Sequence, residues 1–487
     1  MKSCIILSLF LVSSLSVNAK APISAEIKLP SKISNATLTL SALPSYLVST
    51  LKEEDKPSAS GHLFYDKKVV LKDKNGKLID NLWDLKENDE YEIDSISSIG
   101  TFFDIWFFSP NGSSLPENME DVSAFDYCTF EKPCKNINQS LVDKLHMMQI
   151  TPKFWFAGGT YQLPKNERQN DSQVLMLYNN FSLHGRSSDF IYKAVNEERP
   201  LFIGSLLWID FAFHDGGFGH AYDIRSQTSY NPIDTINHQE TVNFFSMGTL
   251  YLQNVSAQLS LPKEYPEGYG TNVYAKKSIL KQSKLNIDGY AGANIKSENV
   301  SLYNTHLKAD SFDAFNIDSY ELFEMNNDIP RHFYASESQL EINNACIATS
   351  IHLSRLYGFS LSNSTIKMTG QSDSYCHFAG IDASTTEEHW IGALIQNSEM
   401  YINLRSGVVE AVRSLDLTIE ASKITLQAEE IHAMTGRSLQ FTGNPSTIIV
   451  NAQNILEPLF NFASFKNLST PASQCQINSM DSFDCYE

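Results

Sequence analysis

The sequence predicts an all-β chain built mainly as a parallel β-helix, three strands to a coil, preceded by a small antiparallel β domain. Three observations lead there. A short pattern, Ser or Thr, any residue, apolar, any residue, apolar or small, starts at Ser283, Thr305, Ser338, Ser364, Ser398, Ser422 and Ser446, with a looser copy at Ala257. Successive starts lie 26, 22, 33, 26, 34, 24 and 24 residues apart. Period-2 segments at such spacing are strands of a solenoid, one per coil and in register with the next. Second, further short strands follow each copy. One set is Ala293-Asn-Ile-Lys-Ser, Phe315-Asn-Ile-Asp-Ser, Cys346-Ile-Ala-Thr-Ser, Gly380-Ile-Asp-Ala-Ser, Glu410-Ala-Val-Arg-Ser and Glu430-Ile-His-Ala, and another includes Val300-Ser-Leu-Tyr, Phe359-Ser-Leu-Ser and Leu439-Gln-Phe-Thr. Third, residues 20–125 have another character, with alternating runs punctuated by Lys74-Asn75-Gly76-Lys77 and Pro110-Asn111-Gly112.

From the amino end, residues 1–19 read as a signal peptide. Lys2 is the basic flank, Ile5 to Val17 the short apolar region, and Val17-Asn18-Ala19 the small-residue cleavage site. No run approaches the roughly 20 apolar residues of a membrane helix, so an exported protein, secreted or in the cell envelope and without a transmembrane segment, is expected. Residues 20–125 form the small β domain, plausible as a sandwich, with Thr101-Phe-Phe-Asp-Ile-Trp-Phe-Phe as a buried strand and 111–121 as a linker. Residues 126–465 are the β-helix and 466–487 a disulfide-tied tail. Six cysteines follow the signal and fall into close pairs, Cys128 with Cys134, Cys346 with Cys376, and Cys475 with Cys485. An even count in an exported chain supports disulfides, though 15 connectivities are open to six cysteines. No Cys-x-x-Cys or His-x-x-x-His spacing favours a metal instead. The formal charge of -19 sets the surface against nucleic acid and anionic membranes.

The solenoid entry has its own signature. Ile137-Asn-Gln-Ser-Leu-Val-Asp-Lys-Leu carries apolar residues at 137, 141, 142 and 145, the pattern of a short amphipathic capping helix. Then come Phe154-Trp-Phe-Ala-Gly-Gly-Thr-Tyr-Gln-Leu and Phe181-Ser-Leu-His-Gly. This order resembles the entry to right-handed parallel β-helices of the pectin-lyase-like superfamily, over roughly 128–465. The resemblance implies the fold and its handedness. It implies little about activity, since lyases, hydrolases, adhesins and passive stalks share it. At the far end, Pro458-Leu-Phe-Asn-Phe-Ala-Ser-Phe is apolar enough to fold back over the last coil.

Two coils, from Thr305 and Ser364, are long, and extra length in a solenoid emerges as loops. The first loop brings Asp318, Glu321, Glu324, Asp328, Arg331 and His332, the second Asp373, His377, Asp382, Glu387, Glu388, His389 and Trp390. In the second strand, the residue after the inward Ile or Val gives a column of Lys296, Asp318, Ala348, Asp382, Arg413 and His432. With rungs about 4.8 Å apart, Lys296 can pair with Asp318 and Asp382 with Arg413. The column is either a surface charge ladder or a site in which Asp318 and Asp382 are the carboxylates, His377 the base and Arg413 the charge stabiliser. Arg331, His332, His389 and Trp390 would then bind the ligand. A third cluster, His214-Asp215-Gly-Gly-Phe-Gly-His220-Ala-Tyr-Asp223-Ile-Arg225, is either a Gly-rich turn or a convergence of His and Asp on a cation. Its Gly-His pair is reminiscent of polygalacturonases, but that family's Asn-Thr-Asp, Asp-Asp, Gly-His-Gly and Arg-Ile-Lys blocks are not present as a set.

The leading expectation is an exported β-solenoid without catalysis that presents loops to a polysaccharide or a cell-surface protein, as adhesins do, and needs no cofactor. The alternative is a polysaccharide lyase or glycoside hydrolase with its site in the 318–332 and 377–390 loops, to which calcium would come only in the lyase case.

Overall fold

The computed structural model describes residues 33–34, 59–60, 63–73, 75–79, 90–102, 105–190, 193–209, 218–235, 239–264, 269–311, 317–318, 332–343, 351–352, 358–370, 376–383, 392–404, 407–414, 416–432, 434–455 and 460–478. The chain divides into two compact units, residues 1–59 with 64–102, and residues 60–63 with 103–487. In the first unit, Leu63–Asp73 and Glu90–Phe102 pair antiparallel, and Leu78–Ile79 folds back on Leu71 and Lys72. The Lys74-to-Lys77 signal closes that hairpin. The Asp73 carboxylate accepts from the backbone N–H groups of Asn75 (2.8 Å) and Lys77 (2.9 Å), and Gly76 supplies a φ of 81°.

The second unit is almost wholly parallel strands. Their pairing falls into three ladders, a pattern that fits a parallel β-helix. The first ladder begins with Ile105–Ser113 on Lys153–Ala157. It continues through Ser182–Arg186, Phe218–Tyr222, the later halves of three long strands (Gln239–Gln253, Tyr269–Lys281, Ala291–Tyr303), His332–Ser336, Gly358–Ser362, Gly392–Gln396, Asp416–Glu420 and Met434–Thr442 to Phe460–Asn467. The second ladder holds the strands that follow the repeated Ser, from Ser256–Ser260 through Lys284–Gly289, His306–Ser311, Gln339–Asn343, Thr365–Gly370, Glu399–Leu404 and Lys423–His432 to Thr447–Ile455 and Gln474–Asn478. The third ladder stacks Ser172–Tyr178, Ser205–Ile209, the earlier halves of the same three long strands, then Ile317–Asp318, Ile351–His352, Cys376–Ala383 and Gly407–Ser414.

The repeat has a physical basis in the turn that precedes the second ladder. Before six of the seven, Ser283 to Ser422, stands a residue in the left-handed region: Gln282, Asn304, Glu337, Asn363, Asn397 and Ala421, with φ between 47° and 52°. Its N–H donates to a carbonyl of the next coil, as Asn304 does to Ser336 and Asn397 to Glu420. The hydroxyl then does two jobs. Ser398 Oγ donates to Gln396 O (2.7 Å) and accepts from the backbone N–H of Ser364 (3.1 Å), and Ser338, Ser364, Ser422 and Ser446 repeat the second contact. All of these hydroxyl residues are buried, so each satisfies a backbone N–H that has no other partner within its own coil. The apolar positions that follow, Leu285 and Ile287, Leu340 and Ile342, Ile366 and Met368, Ile424 and Leu426, are 0–1 % exposed and form one continuous core. Within the three long strands Asn243, Asn272 and Asn294, all fully buried, pass a side-chain amide bond from rung to rung at 2.6 and 2.7 Å.

Several elements depart from the sequence expectations. The strand Ile105–Ser113 lies in the second unit, and Pro110-Asn111-Gly112 continues it instead of turning. Gly112 is required there because a Cβ would sit 2.4 Å from the Pro133 carbonyl oxygen, where Ser113 bonds the Cys128–Cys134 loop. The expected capping helix is Gln139–Met147, N-capped by the Asn138 side chain on Leu141 N–H (2.9 Å), with Leu141, Val142 and Leu145 buried. The Gly158-Gly159 turn is fixed by crowding, since a Cβ on Gly159, at φ 142°, would meet the Pro110 ring at 2.2 Å. Phe460–Asn467 does not fold over the last coil. It forms a rung on Met434–Thr442, because Phe460 and Phe465 continue the columns of Met434 and Leu439. Cys128 is bonded to Cys134, and Cys475 is disulfide-bonded, while Cys485 and Cys346 lie outside the described residues and Cys376 is described only in its backbone. Residues 1–19 also lie outside them, and no helix among the described residues is long and apolar enough to cross a membrane.

Ser398→Ala orphans the buried N–H of Ser364 and should lower stability by about 1–3 kcal/mol, read from denaturant midpoints. Ala421→Asn, which puts the better left-handed residue at φ 47°, should raise the midpoint. An unchanged midpoint in both variants would remove the turn from the account of stability.

Candidate functional site

The third ladder carries the column in which the sequence placed a site. Its register runs Met176, Leu207, Phe245, Tyr274, Lys296, Asp318, His352, Asp382, Arg413, Thr435. Lys296 and Asp318 are neighbours on adjacent rungs, as are Asp382 and Arg413. Ala348 does not hold the rung between Asp318 and Asp382. His352 does, because Ile351 is the residue that aligns with Ile317 and Ile381. Nor does His432 end the column, since it pairs with Glu410 and Thr435 stands beside Arg413. The backbone therefore brings Asp318, His352, Asp382 and Arg413 onto consecutive rungs, and Asp318 and Asp382 are two intervals, about 10 Å, apart. Their side chains are outside the described residues, as are Arg331, His389 and Trp390 entirely. His377 lies on the same strand as Asp382, paired with Val408. His332 is on the first ladder instead, where its N–H donates to Asn299 Oδ1 (2.9 Å) and burial pushes its imidazole down. Of the described loop residues, Asp318, His377 and Asp382 thus share the third ladder, and His332 lies on the first.

Midway along that column the structure shows a buried ion pair. Lys296 Nζ is 3.0 Å from both carboxylate oxygens of Glu240, and the residues are 5 % and 2 % exposed. The ammonium lies 4.6 Å from the Tyr269 ring centre, and Thr271 Oγ1 donates to Glu240. Burial alone would lower Lys296. The charge of Glu240, together with Tyr269 and the hydrogen bonds to both, outweighs it and holds the ammonium above its usual range. Among the described side chains, then, Lys296 is paired with Glu240. Phe245 and Tyr274 above it belong to a small secondary core with Met176, Leu207 and Val242. The column thus passes from apolar to charged as it descends.

The first ladder carries a feature that the sequence reading missed. Its outward positions place Trp155, His184 and Tyr222 on three successive rungs, and His220 and Tyr251 on the third and fourth. His184 stacks on Tyr222 at 4.7 Å, Tyr222 lies 5.7 Å from Tyr251, and the Tyr222 hydroxyl is 3.2 Å from His220 Nδ1. Lys281 Nζ sits between Tyr251 and Tyr303, at 5.4 and 5.5 Å from the two ring centres, and Tyr303 lies 5.4 Å from Tyr334. Arg186 covers the Trp155 ring at 3.8 Å. Phe218 is 44 % and Tyr303 39 % exposed. The segments 153–157, 182–186, 218–222, 249–253, 277–281, 299–303, 332–336, 358–362 and 392–396 contain no Asp or Glu, although the chain has 56 acidic residues. Acid returns only with Asp416 and Glu420. A signal for this band existed: the residue two places before each repeated Ser or Thr is Lys281, Tyr303, Ser336, Ser362, Gln396 and Glu420, one per rung.

The His214-to-Arg225 segment does not converge on one centre. His214 and Asp215 lie outside the described residues. His220 faces Tyr222, Asp223 turns to the Asn254 amide (2.7 Å), and Arg225, on a strand paired with Ser256–Ser260, forms an ion pair with Glu197. Among the described residues no group of three or more His, Cys, Asp or Glu is placed to hold a metal ion. Comparison of the chain with family models, with curated proteins and with solved structures gives no match.

Two outcomes test this electrostatic account. Glu240→Gln leaves a buried ammonium without its counter-charge and should cost about 3–5 kcal/mol, with Lys296→Met in the same chain recovering much of it. Burial holds the imidazoles of His184, His220 and His332 below their usual value, that of His184 well below. The unfolded chain therefore takes up more protons than the native one. Their contribution to stability is whole above about pH 6.5 and is lost as the pH falls toward the depressed native values. His184→Phe should flatten the decline in melting temperature between pH 7 and 5. An unaltered slope would count against a buried neutral His184.

Proposed function

We propose that this chain is an exported right-handed β-helix, three strands to a coil and of the pectin-lyase-like kind, that binds an extended acidic polysaccharide along its first ladder without cleaving it. The observation that supports the reading is the run of outward aromatic rings and cations, free of Asp and Glu, on a chain of net charge -19. Aromatic faces pack against the C–H faces of sugar rings. A lysine between two tyrosines gives a carboxylate or sulfate a counter-charge, and among the described residues Lys281 makes no ion pair. Acid elsewhere repels the same polymer, so that the ligand is confined to the band. The exported location rests on the amino-terminal sequence together with the Cys128–Cys134 bond.

A second reading has an observation of its own. The backbone register puts two acidic residues, a histidine and an arginine, Asp318, His352, Asp382 and Arg413, on consecutive rungs. Those residue types are the ones that glycan cleavage uses.

Calorimetric titration with polygalacturonate and with an uncharged glucan separates these readings. Binding of the acidic polymer is expected to weaken with salt, to fall about fivefold in Lys281→Ala and by a similar factor in Tyr303→Ala. Acidic-polymer binding that is indifferent to salt, or that shows no loss in either variant, would sink the acidic-polysaccharide reading. Reducing ends or unsaturated uronates that disappear in Asp382→Asn would establish the enzyme instead.

A further inference from the structure

We infer that a groove on the second ladder is a separate binding site and that it takes an uncharged, hydroxyl-rich chain, a neutral saccharide. The groove encloses about 780 Å³ and runs across four rungs, from Thr369 and Gly370 to Asn451 and Ala452. The register is Thr369, Asn403, Gln427, Asn451 on one line and Gly370, Leu404 on the next, where Ala428 and Ala452 are paired. Three rung intervals make a trough about 14 Å long, parallel to the stacking direction.

Its chemistry is unlike that of the aromatic band. The floor is small and apolar, with Gly370, Leu404 and Ala428 buried and Ala452 half-buried. The wall is a file of side-chain amides. Asn403 Nδ2 is committed to the Tyr401 hydroxyl (3.0 Å), which fixes its orientation and leaves its carbonyl oxygen as an acceptor toward the groove. Gln427 is exposed and, among the described residues, its amide has no hydrogen-bond partner. An amide offers a donor and an acceptor together, the complement of a sugar hydroxyl, which is also both. Among the described residues no Lys or Arg lines the groove and the one charged residue is Glu429, which repels an acidic polymer where a neutral one is not repelled. A protein partner would bring larger apolar anchors than so shallow and small-sided a floor accepts. The volume lies within the range of small-ligand sites.

The test uses the full chain and neutral hexasaccharides of glucose, mannose and xylose, followed by calorimetry or by ligand-observed magnetic resonance. Saturable binding to at least one of them is expected, indifferent to salt. It should weaken about tenfold in Gln427→Ala with Asn403→Ala, as the loss of one or two hydrogen bonds predicts. It should vanish in Ala452→Phe, which fills the floor, and be unchanged in Lys281→Ala. Should Ala452→Phe fail to fold, Gln427→Glu, exposed and adding a second acid beside Glu429, reads the same groove. No binding by the native chain overturns the inference, as does binding that survives all of the groove variants. Binding lost in Lys281→Ala or Tyr303→Ala overturns it too, by placing the neutral ligand on the aromatic band. Because the two sites differ in charge, ladder and variants, the acidic-polymer reading stands or falls separately.

Discussion

The left-handed turn ahead of most second-ladder strands is the constraint on which the rest of the second unit depends. One residue at φ near 50° reverses the chain, its N–H reaches the next coil, and the hydroxyl after it closes the bonds that the reversal leaves open. Once that corner is in register, parallel pairing carries the register into all three ladders, and apolar residues must stack on apolar residues. The cost of a non-glycine residue in this region is about 1 kcal/mol or more at each corner. It is offset by burying two aliphatic side chains per strand, worth roughly 1.5–3 kcal/mol each. Asn at four of these corners, 254, 304, 363 and 397, is the side chain that best tolerates the conformation.

The corners and the inward residues were therefore the legible part of the sequence. Ser398 or Ser422 betrays itself because its hydroxyl and the two apolar residues after it answer to one periodic demand. The rung of Ile317, Ile351 and Ile381 was legible only in part. The coil between Ser338 and Ser364 offers both Ile347 and Ile351, and spacing alone does not choose between them. Phe460–Asn467 looks like a lid by composition, yet Phe460 and Phe465 align with Met434 and Leu439 and so extend the column. The Glu240–Lys296 pair spans 56 residues and belongs to no motif. Outward residues carry no packing period, so Tyr251, Lys281 and Tyr303 become neighbours only when the register is known.

Charge in this protein is sorted by ladder. The first ladder keeps its cations beside aromatic rings and admits acid only near its far end, at Asp416 and Glu420. The second exposes amides along a file of small residues, and the third changes from apolar to charged at Lys296. A net charge of -19 describes none of these surfaces individually. Long-range repulsion decays within about 8–10 Å at ordinary ionic strength, less than the width of one coil face. Each ladder accordingly presents its own local field, and one scaffold can hold chemically opposed ligands without interference.

Coils of 22 and of 34 residues advance the stack by the same single rung. The rise is set by backbone hydrogen bonding and not by how much chain a turn contains. Residues gained by a coil therefore spread sideways, and the height of the column counts turns and is blind to mass. Two solenoids of this kind with equal numbers of corners would be equally tall however unequal their molecular weights.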